Sequence, residues 1–145
     1  DILLACRRIN DAMGQHTPAE LVKLMVQRGN TVAGARILLL GLTFKENCPD
    51  LRNTRVVELA QELQDYKATV EIHDPWADRF EPLQEYGIAL VEVPEEGAYD
   101  AVVIAVAHDE FKALGVDGLH KLGHARTVYY DIKGVFPKEA VDARL

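Results

Sequence analysis

Residues Ile37 to Leu42 read Ile-Leu-Leu-Leu-Gly-Leu, five apolar residues in six, with no polar side chain to turn toward water. A strand of that kind must be covered on both faces, and two-sided burial is the habit of a parallel sheet. Ala101 to Ala107, Ala-Val-Val-Ile-Ala-Val-Ala, repeats the signal. Parallel neighbours need crossover connections of a dozen or more residues, usually helical. The chain between such strands should therefore carry helices.

From Gly34 onward it does. A strand over Arg36–Gly41 leads through a polar loop to a helix with Val56, Leu59, Ala60 and Leu63 on its apolar face and Asn53 or Thr54 at its cap. Thr69–His73 is the next strand, closed by the turn pair Asp74-Pro75. A weaker helix at Glu81–Tyr86 ends at Gly87, a short strand covers Ala89–Val91, and Pro94 to Tyr99 is loop or a single helical turn. After the strand Ala101–Ala107 come short helical pieces near Glu110–Leu114 and Asp117–Leu122. Thr127–Tyr130 reads as the last strand, opening into Asp131-Ile132-Lys133-Gly134.

Two helices precede this alternation. Ile2, Ala5, Cys6, Ile9 and Met13 recur at helical spacing up to Gly14. Thr17-Pro18-Ala19-Glu20 is a full start signal, with Thr17 as cap, followed by the stripe Leu21, Leu24, Met25 and Arg28 and the stop Gly29-Asn30. The opening residues look like helix already under way with no cap before them, so the chain is expected to be a fragment of something longer. The expected fold is α/β: a Rossmann-like, three-layer, doubly wound and mainly parallel sheet of about five strands, preceded by two helices. Residues 1–33 are expected to form the helical lead-in and 34–145 the sheet domain.

Composition narrows the ligand. A net charge of −7 over 145 residues argues against a general affinity for nucleic acid or anionic membrane. An anionic ligand would need a local cationic pocket. No apolar stretch reaches membrane-spanning length, and no signal peptide is evident. Two cysteines, Cys6 and Cys48, form no CxxC pattern, so a reducing cytoplasm is the expected setting.

Right-handed crossovers would place the Phe44 loop, Asp74, His108 and Asp131–Gly134 on one edge of the sheet, the carboxyl edge where such folds bind ligands. Lys45 and Lys133 would reach it from different strands, with Arg52 nearby, and converging cations suit phosphate groups. Gly41 follows a strand, but Gly-Leu-Thr-Phe-Lys-Glu is not GxGxxG, which argues against a nicotinamide dinucleotide cradled in this turn. Asp74 mimics a ribose-binding acid but lies 33 residues beyond Gly41 rather than roughly 20; a structural turn is the favoured reading. Cys48 lacks a neighbouring histidine and reads as part of a packed turn rather than a nucleophile, and Asp50 and Arg52 are close enough to pair and shape the loop. His120 and His124 sit four apart, but Gly123 ends the helix between them and nothing completes a metal set. His108 either reaches the crevice or caps the helix that follows.

The stretch Gly41 to Arg55, GLTFKENCPDLRNTR, with RRIND before it and DIKGV after it, resembles the carboxyl-terminal part of the UDP-glucose/GDP-mannose dehydrogenase family. Within that family it looks most like the bacterial UDP-N-acetylhexosamine (UDP-GlcNAc/UDP-ManNAc) 6-dehydrogenases that make uronic acids for surface polysaccharides. The resemblance covers essentially the whole chain and implies a UDP-binding domain behind the end of a connecting helix that builds a homodimer. Such enzymes oxidise C6 of a nucleotide sugar to a carboxylate in two NAD-dependent steps on a cysteine. The domain that holds NAD and the cysteine segment are not matched here, so no catalytic residue and no turnover are expected of this piece. By the same resemblance Phe44, Lys45 and Lys133 contact the nucleotide sugar, with Asp131 preceding the last of these, and Arg52 reaches NAD held by the other domain. A stand-alone nucleotide-binding or regulatory module without catalysis is the competing reading.

Overall fold

The computed structural model describes residues 17–43, 46–47, 54–77 and 88–144. The stripe Ile2–Met13, both cysteines, Phe44, Lys45, Asp50, Arg52 and the segment Glu81–Tyr86 lie outside the described residues.

The first described helix, α1, covers residues 17–27. Leu21 and Met25, one turn apart, are fully buried. At its end the Asn30 amide bonds the Met25 carbonyl and the Gly29 amide bonds the Val26 carbonyl, with Gly29 at a φ of +85°. These are the two bonds of a Schellman stop, which needs the left-handed conformation that glycine adopts without strain. Thr17 is already helical rather than a cap outside the helix, and it is buried. The Tyr130 hydroxyl donates to Glu20 Oε2 at 2.7 Å, so the glutamate of the start signal reaches across to a strand.

The strands are β1 (Arg36–Leu40), β2 (Thr69–His73), β3 (Ala89–Leu90), β4 (Tyr99–Ile104), β5 (Gly123–Asp131) and β6 (Ala143–Arg144). They form one sheet in the order β3-β2-β1-β4-β5-β6, and every pairing is parallel. Among the described residues six strands stand where about five were expected. The extra one, β6, has only two residues, too few for any alternation to show in sequence. β5 begins four residues earlier than expected, because its first half, Gly123 to Arg126, is partly or fully exposed and carries no apolar run. β4 runs Tyr99–Ile104 instead of 101–107 because the amides of Ala105 and Val106 turn to the Leu40 carbonyl, at 2.9 and 3.2 Å.

β1 lies at the centre, flanked by β2 and β4, which explains its uninterrupted hydrophobicity. Ile37 and Leu39 pack on one face with α1 and with Val56, Leu59, Ala60 and Leu63 of α2 (Thr54–Asp65). Leu38 and Leu40 pack on the other with Phe111 and Leu119 of α3 (Asp109–His120). Gly115 breaks α3 with non-helical angles, φ 68° and ψ 175°, so the two short helical pieces expected around it are both present. Among the described residues no helix is long and apolar enough to cross a membrane.

Candidate functional site

Strand order reverses between β1 and β4: β1 is followed by β2 on one side, and β4 by β5 on the other. In open α/β sheets that switch point, at the carboxyl ends of the strands, is where ligands bind. The described backbone brings Gly41–Thr43, Asp74–Ala77, Ala105–His108 and Ile132–Phe136 to this one edge.

Gly41 is required by close approach. At its φ of +110° a Cβ would lie 2.5 Å from the Val106 Cβ and 2.8 Å from the Val106 amide nitrogen. The first loop leaves β1 through a gap that admits no side chain.

Asp74 is only 6% exposed and holds that loop by its backbone. Its Oδ2 accepts the amides of Leu42 at 2.6 Å and Thr43 at 2.9 Å, and its Oδ1 accepts the Trp76 amide at 2.8 Å. Burial on its own pushes the Asp74 carboxyl up. The Leu42 and Thr43 amides, His108 and the Trp76 amide outweigh it and hold the group below the usual carboxylate range. The structural reading of Asp74 is thus the observed one.

His108 is fully buried at the same point. It occupies the cap position of α3 but makes no side-chain cap bond. Its Nε2 lies 2.9 Å from Asp74 Oδ2 and 3.0 Å from Thr43 Oγ1, and its Nδ1 accepts the Asn47 amide at 2.8 Å. Because Nδ1 accepts, the ring hydrogen sits on Nε2. The α3 amino terminus is capped from outside, the Asp109 amide donating to Asn47 Oδ1 at 3.1 Å. Trp76, 37% exposed, stacks beside His108 with ring centroids 6.2 Å apart and donates its indole N–H to Glu110.

Across the edge, fully buried Asp131 organises the loop after β5. Its oxygens accept the Lys133 amide at 3.2 Å and the Phe136 amide at 2.8 Å. Lys133 itself is exposed. It lies in the loop that leaves β5 at the expected edge, two strands over from β1. His120 and His124 line one cavity but are bonded to different partners: His120 bonds the Ala140 carbonyl at 2.8 Å and His124 bonds Asp100 at 2.7 Å, and among the described residues no third His, Cys or carboxylate joins them in a metal-holding group. Thr43, Asn47 and Trp76 had no sequence pattern to mark them. The one available signal was an asparagine in a loop, since Asn47 takes a left-handed φ of 54°, which asparagine tolerates better than most residues.

Among the described residues, the start of the β1–α2 connection offers no free amide pair to a dinucleotide. The Leu42 and Thr43 amides are already held by Asp74, whose buried carboxylate is thus used by the loop itself.

A family model described as the UDP-glucose/GDP-mannose dehydrogenase family, UDP binding domain, matches residues 38–138. The UDP-N-acetyl-D-glucosamine 6-dehydrogenase of Pseudomonas aeruginosa is 50% identical over all 145 residues, which make up 34% of that protein. The enzyme of the same name from Salmonella typhi is 45% identical over the same span, again 34% of its length. Among solved structures, a UDP-D-ManNAc dehydrogenase from Pyrococcus horikoshii superposes with a TM-score of 0.70 at 25% identity, covering 95% of this chain and 31% of that one. The chain therefore spans about a third of the length of these relatives. A match over most of the sheet, on an edge built as described, means that the chain belongs to the UDP-glucose/GDP-mannose dehydrogenase family and carries its UDP binding domain.

Proposed function

We propose that the chain is the substrate-binding part of an NAD-dependent UDP-N-acetylhexosamine 6-dehydrogenase, with residues 34–145 as the UDP-sugar-binding unit and 1–33 leading in from a connecting helix. The observation that carries this is the 50% and 45% identity, along the whole chain, to two enzymes named UDP-N-acetyl-D-glucosamine 6-dehydrogenase. In this reading Phe44, Lys45 and Lys133 face the nucleotide sugar. Lysine offers a compact charge to a diphosphate or a sugar oxygen. Arg52 faces NAD held by a domain beyond this chain, which agrees with the Leu42 and Thr43 amides after β1 being already occupied. The complete enzyme works in the cytoplasm as a homodimer, and this chain alone does not turn over.

Calorimetric titration of the chain with UDP, UDP-N-acetylglucosamine and GDP-mannose tests the reading. Both UDP ligands should bind more tightly than GDP-mannose, and the reverse order would sink the substrate class. In the complete enzyme, Lys45→Ala should raise KM for the UDP-sugar with little change in the NAD response. Arg52→Ala should do the opposite. Interchanged effects would show that the two roles are wrongly assigned.

A further inference from the structure

Residues 44–46 sit between two anchored positions, and both anchors meet on one imidazole. On the amino side, Thr43 is held by its amide to Asp74 Oδ2 and by its hydroxyl to His108 Nε2. On the carboxyl side, the Asn47 amide donates to Nδ1 of the same ring, while the Asn47 side chain takes the Asp109 amide next door. The ring is bridged to β2 by its bond to Asp74. Ends belonging to one loop are thus fixed relative to each other through a single planar group with two nitrogens in rigid geometry.

A buried histidine–aspartate pair is often no more than a satisfied polar spot in a core, and an apolar pair would be as stable there. The partners argue otherwise. Among the described residues, the bonds that Asp74 and His108 make go to each other and to edge residues: Leu42, Thr43, Asn47 and Trp76. All of these lie past the strand ends, so the bonds join the segments leaving β1, β2 and β4 at this edge and none is made within the strands. The ring sits between Trp76 and Phe111, 6.2 and 5.4 Å from their centroids, which limits its rotation.

We infer that His108 is a positioning residue: by joining Thr43 and Asn47 through its two ring nitrogens, it fixes these two positions of the connection that leaves β1 and so sets the affinity for the UDP-sugar. The inference rests on the reading of Lys45 given above and adds a residue that does not touch substrate. Holding a loop in its bound form lowers the entropy lost on binding.

The test compares wild type with His108→Phe, which keeps a ring between Trp76 and Phe111 but removes both nitrogens, and His108→Gln, which restores one donor and one acceptor. In the complete enzyme, His108→Phe should raise KM for UDP-N-acetylglucosamine roughly tenfold, while kcat and the KM for NAD stay within about twofold. His108→Gln should recover much of the loss. Hydrogen exchange on the chain itself provides a second arm. The Asn47 amide should exchange at least roughly tenfold faster in His108→Phe, with amides of β1 and β4 unchanged. Unaltered exchange at Asn47, or equal acceleration throughout the sheet, would overturn the brace. Fast exchange at Asn47 with an unchanged KM would overturn its link to affinity. Failure of wild type to bind any UDP ligand would instead strike the reading of Lys45, and the exchange arm would still judge the brace by itself.

Discussion

Asp74 shows how one carboxylate can be worth more to a loop than to a ligand. It is buried, it accepts three backbone amides, and it faces His108. Its pKa is lowered in the folded state. A carboxyl with a lowered folded pKa stabilises the fold at every pH above its unfolded value, and that contribution is lost as pH falls through the folded value. Asp74→Asn should therefore cost at least ~2 kcal/mol near neutral pH, the scale of a hydrogen bond to a charged group. The gap to wild type should close below about pH 4, under the unfolded aspartate pKa. Denaturant unfolding at pH 7 and pH 3 checks both halves, and a gap that widens in acid would refute the assignment. Gly41 makes a sharper case, because its left-handed φ and its 2.8 Å approach to the Val106 backbone leave no relaxation by a flexible side chain. Gly41→Ala should destabilise by ~2 kcal/mol or more.

At the scale of elements, α1 and α3 are fastened in different ways. α1 is held by apolar packing of Leu21 and Met25, by the Arg28–Asp142 ion pair, and by the Tyr130 hydroxyl on Glu20. Burial first, and the Glu20 carboxylate second, push the Tyr130 hydroxyl well above its ordinary range, so it remains a donor throughout the working pH range. α3 depends on a break. Gly115 takes φ 68° and ψ 175°, a region that is almost exclusively glycine's. No neighbouring atom lies within 4 Å of its would-be Cβ, so a substitution there acts through the backbone alone. Gly115→Ala should lower stability by ~1–3 kcal/mol, read as a fall in Tm. An unchanged Tm would mean that the two halves of α3 can join into one helix without loss.

Over the whole molecule, the parts legible in sequence were those that repeat. The double-sided strand at Ile37–Leu42, the stripe Val56, Leu59, Ala60 and Leu63, and the Gly29-Asn30 stop each follow from a period or a steric rule, and the sheet has them where expected. The joint arrival of the β1 loop, Asp74, His108 and Lys133 at one edge followed from crossover handedness alone. What stayed hidden was contact between distant positions. Nothing local in the sequence says that His108 meets Asn47 across a separation of 61 residues, or that the Glu20 of the Thr17 start signal is turned toward Tyr130. β6 escaped for a simpler reason, since two residues cannot display a period.

The cap on α3 comes from Asn47, not from a residue beside the helix. A helix whose first free amide is closed by a distant loop has delegated its own start, and the loop cannot be exchanged as an independent cassette. A transplant of residues 41–47 that replaced Asn47 would leave α3 uncapped, and one set against a chain without His108 would lose the ring that receives the Asn47 amide. The unit of inheritance at this edge is the pair of segments, and engineered chimaeras should be cut accordingly.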